Sequence, residues 1–208
     1  MSKKDERLIG LIKKAQHEFG ENYFITAIPG FMSKKFIAYC AMKEDLELIL
    51  KYINLLREKP DNVIESSLSY SLISLYGKCF TDASKNSFPK LEANIFAGKV
   101  DLIETHNYLM DLRHQFIAHR GDTESEIGIA YVIIPKVAND LQTQIQFSQV
   151  KQKSFSKVDL DRFENQMKFI VGLLLDKIQK TGQKLHDSFL NLFSPEEIVA
   201  KMIINNAK

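Results

Sequence analysis

The 208-residue chain has few of the features that staple, anchor or strongly charge a protein. Its two cysteines, Cys40 and Cys79, stand far apart in apolar helical patterns, with no C-x-x-C and no Cys/His ligand spacing. That excludes a disulfide framework or a zinc site, and both read as small buried hydrophobes. Charge of one sign is also missing. Lys+Arg 28 against Asp+Glu 26 leaves +2, so any nucleic-acid role falls to a local basic patch and not to the chain as a whole. The N-terminal MSKKDERLIG has no continuous apolar segment and no small-residue cleavage site, unlike a secretory signal. The longest apolar run of the C-terminal half, FIVGLLL at 169–175, is far short of the ~20 residues needed to span a bilayer. A soluble, cytoplasmic protein is expected. There is no Walker-type glycine loop, no G-x-G-x-x-G after a strand pattern, no H-E-x-x-H and no paired-carboxylate arrangement, so the enzyme classes built on those motifs have no support. No metal ligand set and no cofactor motif is present.

What the chain does have is a 45% hydrophobic content arranged in helical periods, enough for a substantial core. KKDERLIGLIKKAQHEF repeats Leu8, Ile9, Ile12, Ala15 and Phe19 at helical spacing and stops at Gly20, a C′ position. Residues 21–42 resist assignment, because Pro29-Gly30 interrupts the pattern. A second helix is expected over 43–59, ending before Pro60, with Leu46, Ile49, Leu50, Ile53 and Leu56 on one side. Asp61 or Asn62 caps a third, burying Val63, Ile64, Leu68, Leu72, Leu75, Tyr76 and Cys79. A fourth covers about 98–118. The period then switches: EIGIAYVII and TQIQFSQV alternate or are β-branched and read as a hairpin over about 126–150, joined through Pro135 and Asn139-Asp140. Leu160, Phe163, Met167, Ile170, Val171, Leu174, Ile178 and Leu185 mark a long closing helix, with Gly172 and Gly182 as candidate weak points. SPEE at 194–197 opens a last short helix. With no repeat and no dividing linker, the expectation is one all-α domain, a helical bundle with a β-hairpin inserted before its long C-terminal helix.

The fourth helix carries the unusual feature. On a wheel of about 100° per residue, Leu102, His106, Leu109, Arg113 and Phe116 follow at spacings of four and three, flanked by Ile103, Met110 and Ile117. Glu104, Asn107, Asp111, His114 and Gln115 take the opposite, solvated face. An arginine in the middle of an apolar stripe needs a carboxylate partner, a subunit interface or a wet cleft, or it snorkels along the apolar surface. His106 by itself reads as a satisfied core histidine. Its place on the same stripe, one heptad before Arg113, also makes it an auxiliary candidate. His119 falls about 120° from Arg113 on a regular helix, so spacing alone does not bring the two together. Gly121 follows closely, so His119 belongs to a last turn that can deform and where a cation suits the helix dipole.

LRHQFIAHRGD, with Arg113, five intervening residues and His119, resembles the R-x(4–6)-H signature of the HEPN superfamily. The L-R-x-x-x-I-A-H-R string is similar to HEPN proteins of abortive-infection type. The resemblance covers residues 43–192 as a HEPN-like core within a single 1–208 domain and leaves 1–42 as an N-terminal extension. It implies a homodimer in which two such helices share one cleft that cuts RNA without metal, with Arg113 stabilising the phosphoryl transition state and His119 as general acid/base. His114, His106 and Arg120 are auxiliary or RNA-binding candidates. The position two after His119 is Gly121 and not the tyrosine of toxins silenced by nucleotidyl transfer, so control of that kind is not expected. Another antitoxin or regulatory protein remains a partner class. The competing expectations are a non-catalytic HEPN-like module that binds RNA or protein, and a purely structural helix in which Arg113 pairs with a carboxylate. The lysine pairs at 3–4, 13–14 and 34–35 read as solvated faces or as parts of an RNA path. VKQKSFSK at 150–157 is the best-placed basic segment, with Phe155 either stacking on a base or packing on the bundle.

Overall fold

Short polar side chains set where the helices begin. In the computed structural model, Ser2 accepts from the Asp5 amide at 3.2 Å while the Asp5 carboxylate accepts from Ser2 N at 2.9 Å, closing a capping box on α1, Lys3–Phe19. The Asp61 carboxylate accepts from the Val63 and Ile64 amides and opens α3, Asn62–Phe80. Ser156 and Asp159 exchange the same pair of bonds at the start of α5, Lys157–Leu192. Each such cap is worth ~1 kcal/mol. The structure describes residues 2–20, 23, 25, 27–82, 88–117, 126–134, 144–151, 154–192 and 197.

Between these lie α2, Gly30–Arg57, a 3-10 turn at Ala93–Phe96, and α4, Val100–Asp111. A π-helical turn, Leu112–Ile117, continues α4, and strands β1, Glu126–Ile133, and β2, Gln144–Lys151, follow. The described residues are thus mainly helical, with one small antiparallel sheet. No helix among them is long and apolar enough to cross a membrane.

The chain forms two compact units, residues 40–175 and residues 1–39 with 176–208. The larger is organised by two stripes. Leu46, Ile49, Ile53 and Leu56 on α2 and Leu160, Phe163, Met167, Ile170 and Leu174 on α5 recur at spacings of three and four and are buried. This is the period that lets helices interdigitate along their length. Each such side chain contributes ~1.5–3 kcal/mol by leaving water. Leu72, Ile73 and Tyr76 of α3 and Leu109 of α4 complete the core. At the rim, Arg57 reaches Asp161 at 2.6 Å and Glu164 at 2.5 Å. The smaller unit contains α1, the first ten residues of α2 and the last part of α5.

Several expectations shift. α2 starts at Gly30 and not at 43, because the Pro29 carbonyl accepts from the Met32 and Ser33 amides and begins the helix instead of breaking it. Gly20 ends α1 with φ −65°, without using the left-handed conformation expected of a C′ glycine. The α1 stripe is largely open, since Leu8, Ile9 and Phe19 are exposed. Val63 and Ile64 are also exposed, because burial on α3 begins only at Ser69. α5 runs unbroken through Gly172 and Gly182. The hairpin forms as expected, with Ile129 opposite Ser148 and Val132 opposite Ile145. Of the SPEE segment only Glu197 is among the described residues.

Candidate functional site

The fourth helix is not a single α-helix. It is α-helical through Asp111 and widens into the π turn from Leu112 to Ile117, which lies against α3. A π turn takes an extra residue into the helical circuit, is rare, and occurs frequently at functional sites. Gly98, at φ +74° just before α4, holds a left-handed conformation that only glycine adopts cheaply. The lead-in to this helix is therefore fixed by a residue type.

Arg113 is half-buried in the π turn. Its side chain crosses α3 at Gly77, where an added Cβ would overlap Arg113 Cδ and sit 2.5 Å from Nε. The missing side chain at position 77 is the seat for the arginine. Among the described residues no carboxylate pairs with Arg113, whereas Arg57 and Arg162 both have acidic partners. Among the described residues, then, the Arg113 donors are not committed to an ion pair. Leu109 and Leu112 beside it are buried, while Glu104, Asn107, Asp111 and His114 are exposed. Leu102, Ile103 and Met110 are half-buried, so the inward and outward faces expected from the wheel are present through His114; the side chains of Gln115, Phe116 and Ile117 lie outside those described.

His106 is 7% exposed, boxed by Phe80 and Phe96 with ring centroids 4.5 and 5.1 Å away. Its Nδ1 lies 2.7 Å from the Tyr76 hydroxyl, which accepts a bond from Gln166 Nε2 at 3.0 Å. With the amide donating to the phenol oxygen, the hydroxyl proton is available to a neutral Nδ1. Burial pushes the His106 pKa down and the Tyr76 pKa up, reinforcing that arrangement. His106 is therefore tied into the core on the same helix as Arg113. His114 faces outward on the π turn. His119 and Arg120 lie outside the described residues.

Phe155 packs edge-on to Phe163 at 5.0 Å and is half-buried against the bundle. Burial drives the Cys79 thiol up to about 12 and raises that of Cys40, which suits two unpaired cysteines kept as thiols. Among the described residues no group of three His, Cys, Asp or Glu side chains is placed to hold a metal. Sequence reasoning passed over Gly77, Tyr76 as a hydrogen-bonding group, and Gln166. The only signal for Gly77 was a glycine kept inside a helical pattern at a cost of about 1 kcal/mol against alanine. Comparison with protein families, with curated proteins and with solved structures returned no match.

Proposed function

We propose that the chain is a cytoplasmic, metal-independent endoribonuclease of a defence or toxin–antitoxin kind, acting as a homodimer with the Arg113 and His119 motifs at a shared cleft. The observation that carries this reading is Arg113 itself. It is half-buried in a π turn, seated on Gly77, and has no carboxylate partner among the described residues, which disfavours a purely structural arginine. A guanidinium held this way suits the extra charge of a phosphoryl transition state. In the proposed reaction, His119 takes the proton of a ribose 2′-hydroxyl as its oxygen bonds to the adjacent phosphorus. The phosphorus–O5′ bond breaks and the leaving oxygen receives a proton, giving a 2′,3′-cyclic phosphate and a free 5′-hydroxyl. His114 and Arg120 are placed by sequence to assist on the RNA.

The test is cleavage of RNA by the purified protein in EDTA. The expected outcome is a cyclic-phosphate product, with loss of ~100-fold or more in rate for Arg113→Ala and for His119→Ala proteins that melt like wild type. Full activity in both variants would sink the proposal. One observation favours a second reading, a non-catalytic HEPN-like module that binds RNA or a partner protein. The hairpin exposes Ile129, Val132, Ile145 and Phe147, and an isolated two-stranded ribbon is only marginally stable in water. RNA binding without cleavage, lost in Arg113→Glu, would select the RNA-binding form of that module.

A further inference from the structure

A second concentration of positive charge lies in the smaller unit, away from every residue of the motif in sequence. Between the first turns of α2 and the last part of α5 is a cleft of about 420 Å³. Lys177, Lys180 and Lys184 enter it from α5 and Lys35 from α2. The three α5 lysines recur at spacings of three and four, so they rise on one face of the helix over about 10 Å. Among the described residues no carboxylate lines the cleft. Among the described residues none of the four ammonium groups has an acidic partner, and Lys177 Nζ instead lies 5.6 Å from the centre of the Tyr39 ring. The nearby Asp187 carboxylate is taken by Gln183 and His186. Like charges three and four residues apart repel along a helix, and among the described residues no ion pair offsets that repulsion.

The rest of the lining is mostly apolar, with Thr181 and Ser188 as its polar members. Phe36 and Met32 are half-buried, Leu185 is buried, and the Thr181 hydroxyl is turned to the Lys177 carbonyl at 2.6 Å. The cleft therefore offers a concentrated field for an anion on one side and an apolar surface on the other, at a volume suited to a small ligand. We propose that this cleft binds a small organic polyphosphate, its phosphates held by Lys35, Lys177, Lys180 and Lys184 and its apolar body set against Phe36 and Leu185. A strand of RNA is a poorer fit. Its phosphates need a charge track with open aromatic faces, and here the charges gather around one concave volume while the Tyr39 ring is already covered by Lys177. Lys35, read from sequence as solvated surface or RNA path, instead becomes one wall of a small-molecule site.

The test is calorimetric titration of the full-length protein with ATP and, separately, with inorganic tripolyphosphate at physiological salt. Both bind, and ATP binds more tightly because only it reaches the apolar wall. Exchanging the exposed pair, Lys180→Gln with Lys184→Gln, weakens both probes by about tenfold or more, and Phe36→Ala weakens ATP while leaving tripolyphosphate unchanged. The double lysine variant changes only exposed side chains, and an unchanged circular dichroism melt establishes that it is folded. No binding of either probe overturns the proposal, as does binding indifferent to the lysine exchange. Binding of a short single-stranded RNA that is lost in the double variant and that ATP fails to displace would replace it with a nucleic-acid track. RNA cleavage by the motif is a separate readout, so either idea can fail without the other.

Discussion

His106 is tied into the core through its bond with the Tyr76 hydroxyl. In the folded chain it is neutral, buried between Phe80 and Phe96 with Nδ1 on the Tyr76 hydroxyl, and burial holds its pKa below the ordinary value of 6.5. An unfolded chain leaves that imidazole at its ordinary value. As pH falls through about 6.5 the unfolded state therefore binds a proton that the folded state refuses, and stability declines until the lower folded value is reached. Above pH 6.5 the contribution is fully present. Circular dichroism melts between about pH 7 and pH 5 should show wild type losing stability more steeply than His106→Gln, which has no proton to gain there. Parallel slopes would mean that other groups govern acid sensitivity. At this scale the wheel was informative. It put His106 and Arg113 on one apolar stripe and Asp111 and His114 on the opposite side, where they are found. It was silent on Tyr76, Gln166 and Gly77, because those partners come from α3 and α5, and a periodicity read along one helix carries no knowledge of what lies across from it.

At the scale of elements, the seat of the π turn on α3 can be separated from the stability of α3. A glycine in a helix interior costs up to ~1 kcal/mol relative to alanine, so Gly77→Ala brings a gain in propensity. The same methyl overlaps the Arg113 stem and must push it from its groove. The expected result is a protein whose melting stability stays within about 1 kcal/mol of wild type while RNA cleavage falls toward the level of Arg113→Ala. A variant that cuts at the wild-type rate would show that the seat is dispensable. The π turn itself was invisible in the sequence, where LRHQFI continues the apolar pattern of α4 and every regular wheel extends straight through it. The start of α2 was hidden for the opposite reason. Pro29-Gly30 is a strong break signal, yet proline and its neighbours open helices as readily as they end them once the Pro29 carbonyl finds the Met32 and Ser33 amides. Gly172 and Gly182 fail as weak points because the packed stripe of α5, from Leu160 to Leu174 and on to Leu185, outweighs the propensity lost at two positions.

For the whole molecule, the switch of period from 3.6 to 2 between α4 and α5 located the hairpin to within a residue or two, since two-residue alternation is hard to imitate in a helix. The grouping of residues 1–39 with 176–208 was not legible, because it depends on which distant segments meet. The same holds for the candidate cleft: one chain contributes one Arg113, and its proposed chemistry needs a second motif facing it. That requirement makes the oligomeric state the sharpest global prediction. Light scattering of the eluted protein should give twice the 23.9 kDa of the chain. Dilution should abolish RNA cleavage over the same concentration range in which the mass falls to that of one chain, because half a cleft leaves one guanidinium to meet the transition-state charge. A variant such as Arg113→Ala should still dimerise if the interface extends beyond the motif, so its mass separates loss of chemistry from loss of assembly. A chain that cuts RNA while remaining monomeric at every concentration would remove the shared cleft and require both catalytic groups to act from one copy.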